Sequence, residues 1–262
     1  MGILNITPDS FYDGGRYMAL DAAMAQAQLL MELGADIIDI GGASSRPGSV
    51  PPPPDEEIRR VVPVIESIRC HYPEAWIAID TYRADVAVAA IEAGADIVND
   101  ISAGDDDSRM WQVVAHYGIP YVMMHKQGIP QTMQQNPTYG DVVKEIVQYF
   151  VDKTHAARQV GIHDIIIDPG FGFGKTIAHN YELLCRLNAF RIFPYPLLVG
   201  ISRKSMIWKV AHATPEDSLP GTSALHALAL QQGADILRVH DVKAARQVIS
   251  VVERAIQKNL SP

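Results

Sequence analysis

The sequence predicts an α/β protein built as a closed (β/α)8 barrel with long loops after its first two strands. Three observations predict it. The phrase Gly34-Ala35-Asp36-Ile37 returns as Gly94-Ala95-Asp96-Ile97 and Gly233-Ala234-Asp235-Ile236, with a looser copy at Gly161-Ile162-His163-Asp164-Ile165. Eight short apolar runs, around Ile3, Ile38, Ile79, Val98, Met123, Ile166, Val199 and Leu237, alternate with helical stretches. The 262 residues suit a barrel of this kind, which takes about 250. Regular β–α alternation builds a parallel sheet, and eight repeats close it; a doubly wound open sheet is the competing architecture.

Each copy of the phrase closes an amphipathic stretch and opens an apolar one. That is the pattern of a helix ended by a left-handed glycine and followed by a buried strand. The first strand covers 2–5 and a helix covers 21–33, leading into the strand around Ile38. The next helix, 55–71, carries apolar residues at Ile58, Val61, Val62 and Ile65, so the four prolines before it form a stiff loop and not a domain boundary. Tyr72-Pro73 precedes a strand over 77–80 and a helix over 83–93, and the fourth strand centres on Val98. Gly118-Ile119-Pro120 precedes a strand over 121–125, with a helix over 142–160 and the sixth strand around Ile166 beyond it. Pro194-Tyr195-Pro196 introduces the seventh strand, 197–200, and the eighth, around Leu237, runs into a helix over 243–258. No linker interrupts the pattern, so 1–262 reads as one barrel domain.

With 48% hydrophobic and 20% charged residues the composition is that of an ordinary soluble protein. A net charge of -8 argues against nucleic acid as a partner, which needs a basic face. No apolar run approaches the roughly 18 residues of a membrane span, and no basic region precedes an apolar core at the N-terminus, so no membrane partner is expected. Cys70 and Cys185 stand apart, which argues against a disulfide framework or structural zinc. A cytoplasmic protein is the expectation.

In such a barrel the active site lies at the C-terminal ends of the strands. In order those ends read Asn5, Asp39 with Gly41-Gly42, Asp80, Asn99-Asp100, His125, Asp168, Ser202-Arg203-Lys204, and Arg238 with His240. A single Asp or Asn there often only starts a turn, a reading that stays open for Asp100 and His125; eight polar ends out of eight point to a site. Asp80, Asn99 and Asp168 suit the edge of a nitrogen heterocycle with several N–H donors, and two inward carboxylates stabilise developing positive charge. Asn5, Arg46, Lys204, Arg238 and His240 suit an anion with a metal beside it. Arg238 and His240 are two apart on one strand and share a face. The substrate is therefore a neutral-to-cationic ring bearing a leaving anion, a phosphate ester or diphosphate. Hydride transfer is excluded, because the dinucleotide fingerprint is missing.

Asp168-Pro169-Gly170-Phe171-Gly172-Phe173-Gly174-Lys175-Thr176 nearly spells a nucleotide-binding loop, but Pro169 stands where that pattern needs glycine, and a loop begun at Gly170 is one residue short. Its glycines let the backbone approach a ligand, and Phe173 offers an apolar wall. His71, His155, His179, His212 and His226 lack metal-ligand spacing and read as surface or structural. Met18, Met24, Met31 and Met123 read as packing, and Asp105-Asp106-Asp107 as a solvated helix start.

Taken in order, these segments resemble the dihydropteroate synthase family. The opening Gly2-Ile3-Leu4-Asn5-Ile6-Thr7-Pro8-Asp9-Ser10-Phe11-Tyr12-Asp13-Gly14-Gly15 is similar to one family signature, and residues Gly34 to Gly48 are similar to a second. Asp80-Thr81, Val98-Asn99-Asp100-Ile101, Met124-His125, Asp168 to Lys175, Ser202-Arg203-Lys204 and Arg238-Val239-His240-Asp241 follow in the family's order. The resemblance implies that 6-hydroxymethyl-7,8-dihydropterin diphosphate is joined to p-aminobenzoate, releasing pyrophosphate, by a dissociative substitution in folate biosynthesis. It implies a pterin pocket of Asp80, Asn99, Ile101, Met124, Asp168, Gly200 and Lys204, with Asp80, Asp168 and Lys204 catalytic. It assigns the diphosphate to Asn5, Ser45, Arg46, Arg238 and His240, a Mg2+ ion to Asn5, and p-aminobenzoate to Phe11, Pro47, Phe173, Lys204 and Ser205. The loops after the first two strands would close over the substrates and exclude water. Sulfonamides would compete for the p-aminobenzoate pocket, and the resemblance also implies a homodimer.

The sequence departs from the family at Ala43, where many relatives carry Glu, and at Ser45, where they carry Thr; Ser45 keeps a hydroxyl for an anion. The chain also begins almost flush with its first strand, so a trimmed or alternatively started form is expected. Two other readings share the ring-binding barrel: a methyltetrahydrofolate-dependent methyltransferase, which has no need of the anion cluster, and a non-catalytic pterin-binding protein.

Overall fold

A computed structural model describes residues 1–6, 16–43, 51–128, 133 and 135–258. Strands and helices alternate as β1 (Gly2–Asn5), α1 (Arg16–Glu32), β2 (Ile37–Gly41), α2 (Pro54–His71), β3 (Trp76–Asp80), α3 (Ala84–Glu92), β4 (Ile97–Asp100), α4 (Met110–Tyr117) and β5 (Tyr121–Met124). They continue as α5 (Val142–Val160), β6 (Ile165–Asp168), α6 (Ile177–Cys185), β7 (Leu198–Val199), α7 (Ser205–Trp208), α8 (Leu219–Gln231), β8 (Ile236–Leu237) and α9 (Val242–Lys258). Cys70 and Cys185 are free and exposed at the ends of α2 and α6.

Strands β1 to β6 pair in parallel in sequence order, and β7 pairs with β8. Two bridges complete the ring: Ile167 to Leu197 joins β6 to the start of β7, and Gly2 to Val239 joins β1 to the end of β8. At the second junction Ile3 N–H donates to Val239 O and Val239 N–H to Met1 O, both at 2.9 Å. The predicted closed barrel is thus observed, and closure removes the open sheet edges of the doubly wound alternative.

Strand alternation divides the core in two. Ala78, Ile97, Val122, Ile166 and Leu198 point inward and form an apolar floor with Met1, joined by Ile37 and Ile236. Their chain neighbours, such as Ile38, Ile79, Val98, Tyr121 and Met123, point outward into the larger cluster under the helices. Two residues beyond the floor along each strand the inward position comes again, and there the side chains are mostly polar.

The glycines of the recurring phrase take the left-handed conformation its position predicts, with φ of 93° at Gly34, 113° at Gly94, 101° at Gly161 and 98° at Gly233. The aspartates of the three close copies have a role of their own at the opposite end of the barrel from the polar layer. Each pairs with an arginine: Asp36 with Arg246 at 3.3 Å, Asp96 with Arg69 at 2.6 Å, and Asp235 with Arg191 at 3.2 Å. Asp96 also accepts from Ile77 N–H, and Asp235 from Leu197 N–H, both at 2.8 Å. The repeated phrase therefore stops a helix and, at Asp96 and Asp235, caps a neighbouring strand. Helix α1 starts before the predicted 21, because nothing between Gly15 and that point breaks a helix.

Replacing Asp96 by Ala removes both bonds and leaves a strand N–H without its acceptor, so urea unfolding should show a loss of about 1–3 kcal/mol. Turnover should be unchanged, since this end of the barrel lies away from the strand C-termini.

Candidate active site

Strand register sets the site. Asn5 pairs with Gly41, Gly41 with Asp80, and Asp80 with Asn99, so four residues lie in one row across β1 to β4. Met124 and Asp168 pair across β5 and β6. Gly41 keeps the row open: a Cβ there would lie 3.4 Å from Asn5 Oδ1 and 3.7 Å from Asp80 Oδ2. Gly200 does the same after β7, where a Cβ would approach Lys204 Nζ and Arg238 Cβ to 3.9 and 3.8 Å. The layer thus contains Asp39, Asp80, Asn99, Met124, Asp168, Gly200 and Arg238, with Asn5 exposed at the rim.

Arg238 ties the layer together. Its Nε donates to Asp39 Oδ2 and its Nη2 to Asp80 Oδ2, each at 2.6 Å. Asn99 Nδ2 donates to both Asp39 oxygens at 3.3 Å. Burial pushes Asp80 up to about 7, against the pull of Arg238 and with the help of the Asp39 charge. Burial also raises Asp168, opposed by Lys204 and by Gly170 N–H, which donates to Asp168 Oδ1 at 2.8 Å. Lys204 is pulled down to about 8 by burial, against Asp168. For Arg238 burial works against the charge, but Asp39 and Asp80 outweigh it and hold the guanidinium protonated.

Lys204 reaches across to the loop after β6. Its Nζ donates to Phe171 O and lies 4.7 Å from the centre of the Phe173 ring. The loop needs its glycines: Gly170 and Gly174 have φ of 72° and 63°, and a Cβ would sit 1.9 Å from His125 O and 2.3 Å from Gln127 O respectively. These glycines therefore pack backbone against backbone beside the site.

The loop after β2 is held at both described ends. Arg60 Nη1 donates to Gly42 O at 3.0 Å, and Arg83 Nη1 donates to Pro52 O at 2.6 Å. Glu57, 1% exposed, accepts from Arg83 Nη1 at 2.7 Å and from Thr81 Oγ1 at 2.9 Å.

Asp80, Asn99, Met124, Asp168, Gly200 and Lys204 are brought together, with Arg238 among them and Ile101 buried just beyond β4. Phe173 and Ser205, both half-buried, flank Lys204 on its loop and on α7. His240 is exposed at the mouth, and its Nδ1 lies 3.1 Å from Ser202 Oγ. Phe11, Ser45, Arg46 and Pro47 lie outside the described residues. Arg238, assigned to the diphosphate, sits among the ring-side carboxylates, so its loss would disturb more than an anion.

Three strand-end residues prove structural. Asp100 points outward and accepts from Ser102 N–H, Gly104 N–H and Tyr121 Oη at 2.7, 2.8 and 2.6 Å. Arg203 turns away in a left-handed conformation, φ 55°, and grips Asp241 through Nε and Nη2 at 2.9 and 2.7 Å. His125 is 8% exposed and bonds to Lys175. Sequence reasoning left Asp39 without a role; its place two residues beyond Ile37 on an inward face was the signal.

The family model for pterin binding enzymes matches residues 1–240. The dihydropteroate synthase of Escherichia coli strain K12 is 45% identical over 258 residues, 98% of this chain and 91% of the relative. Two solved structures are similarly close. A Yersinia pestis dihydropteroate synthase in a sulfonamide drug complex has a TM-score of 0.91 at 42% identity, covering 98% of this chain and 93% of that one. A Xanthomonas albilineans dihydropteroate synthase with 4-aminobenzoic acid has a TM-score of 0.89 at 42% identity, covering 98% and 92%. With its polar layer of strand-end residues and these likenesses along nearly its whole length, the chain belongs to the pterin-binding enzymes and, among them, to the dihydropteroate synthases.

Proposed function

We infer that this chain condenses 6-hydroxymethyl-7,8-dihydropterin diphosphate with p-aminobenzoate, forming 7,8-dihydropteroate and pyrophosphate in folate biosynthesis. The observation that carries the reading is the inward layer of Asp80, Asn99 and Asp168 crossed by Arg238, within a chain whose relatives are synthases of this name. Asp80, Asn99 and Asp168 would take the hydrogen-bonding edge of the pterin, with Met124 and Ile101 as apolar contacts and the missing side chain of Gly200 leaving it room.

In the reaction the C–O bond to the diphosphate breaks, the methylene carbon becomes cationic, and the aniline nitrogen attacks it and loses a proton. Buried carboxylates favour such a cation more than water does, because their field acts in a low-dielectric site without reorganisation. Lys204, Phe173 and Ser205 would frame p-aminobenzoate with Phe11 and Pro47, and sulfonamides would compete there. Asn5, His240, Ser45 and Arg46 would receive the diphosphate, with Arg238 reaching it from the carboxylate layer.

The residues at the rim fit a Mg2+ ion. Asn5 is exposed there, and its amide oxygen would suit Mg2+, which prefers few protein ligands, with substrate phosphate completing its shell. When bound, the ion would neutralise charge on the departing diphosphate. On the same reading the chain is one barrel domain and a cytoplasmic homodimer with small-molecule substrates. Among the described residues no helix is long and apolar enough to cross a membrane. Sedimentation tests the dimer.

Mixing the protein with pterin diphosphate, p-aminobenzoate and Mg2+ should release pyrophosphate, and folded protein that releases none contradicts the assignment. The affinity for a bare pterin, followed by fluorescence titration, should depend on pH. Ring N–H donors need the charged carboxylate, and Asp80 holds its proton up to about 7. Affinity should therefore level off above that pH and fall by about tenfold per unit below it; a flat acid limb would remove Asp80 from the ring contacts. Arg238→Ala should weaken the bare pterin by about tenfold or more, as well as the diphosphate, because two buried carboxylates lose their shared cation. Loss confined to the diphosphate would show that the Asp39–Arg238–Asp80 contact has no part in ring binding.

A further inference from the structure

Lys175 is 2% exposed and has no place in the pterin or diphosphate assignments. Its Nζ has three close acceptors, which together use the three N–H bonds of an ammonium. They are Gly170 O at 2.9 Å, Phe173 O at 3.1 Å and His125 Nδ1 at 3.0 Å, with His125 O farther off at 3.4 Å. Two acceptors belong to the loop after β6 and the third to the end of β5.

We propose that Lys175 is a positioning residue for the p-aminobenzoate side of the site, its ammonium fixing the Gly170–Gly174 loop, and through that loop Phe173 and Lys204, against the end of β5. The proposal rests on the reading of the site given above.

The carbonyls of the loop face in two directions. Gly170 O and Phe173 O turn to Lys175, while Phe171 O turns to Lys204. The loop is thus held between two lysines, one buried behind it and one in the site. Asn180, 3% exposed, fixes the outer backbone: its Oδ1 accepts from Gly172 N–H at 2.7 Å, and its Nδ2 donates to Thr176 O at 2.7 Å.

An ammonium without a carboxylate in contact is costly to bury unless dipoles replace its water. Here two carbonyls and an imidazole do so, and Asp168 adds a favourable field against a burial that draws Lys175 down to about 7. His125 must present Nδ1 as an acceptor. Burial and then the Lys175 charge keep that ring neutral, far below the usual histidine range.

Removing the ammonium leaves two carbonyls and a ring nitrogen facing a void. The backbone that carries Phe173 and accepts from Lys204 is then free to shift. Asp80 and Asn99 stand on strands the loop does not hold, and Asp168 meets the loop through one bond, from Gly170 N–H. The pterin side therefore feels less of the shift than the p-aminobenzoate side, where Phe173 lies on the loop itself.

The experiment is steady-state kinetics of full-length Lys175→Met beside the native enzyme, varying each substrate in turn, with melting temperature measured in parallel. The expected result is a KM for p-aminobenzoate raised about tenfold or more, with the KM for pterin diphosphate within about threefold. Both KM values unchanged, or both raised alike, would overturn the proposal, because a purely structural lysine lowers stability without separating the substrates. Lys175→Gln, which keeps a neutral donor, serves in the same way if the methionine variant does not fold. Failure of both to fold would also overturn the proposal, by making Lys175 a folding determinant. Pyrophosphate release by the native enzyme tests the underlying reading separately.

Discussion

Arg238 lies between Asp39 and Asp80, 2.6 Å from each, and the polar layer depends on that contact. Asp39, Asp80 and Asp168 are buried within one end of a barrel only a few strands wide, where carboxylates so close together repel and have given up water. A guanidinium answers two of them with directed bonds from two nitrogens, and Lys204 answers the third through its field. The price of this arrangement is the raised Asp80, which a substrate ring with N–H donors and growing positive charge would bring back to the charged form. The layer is thus better suited to a cationic ring than to no ligand at all.

The barrel makes such a layer possible by separating tasks along each strand. The inward residues nearest the N-terminal ends form the apolar floor, and the next inward residues carry the chemistry. The outward residues bury themselves under the helices. The Asp–Arg pairs of the recurring phrase stabilise the opposite end, so stability and chemistry occupy different ends of the same strands. The mouth is set by loops: glycines press one of them against the end of β5, and two arginines hold the base of another at Gly42 and Pro52.

Much of this is legible in the sequence. The left-handed glycines, the eight strands and the polar strand ends follow from local patterns with a direct physical cause. Parity within a strand carried more than was read from it: Asn99 and Asp100 cannot both face inward, and Asp39 shares a face with Ile37. Arg203 was opaque for a different reason. Its direction is set by a positive φ and by a partner far away in sequence, Asp241, neither of which a short motif reveals. Lys175 looked like part of a failed nucleotide loop, and only the approach of β5 shows that its ammonium binds protein carbonyls.

A crystal structure with a pterin and pyrophosphate bound together tests the central claim most directly. The account predicts the pterin edge on Asp80, Asn99 and Asp168, above the apolar floor, with pyrophosphate at the rim beside Asn5 and His240. A ring bound elsewhere, or one that leaves Asp80 and Asp168 without contact to it, would contradict the account.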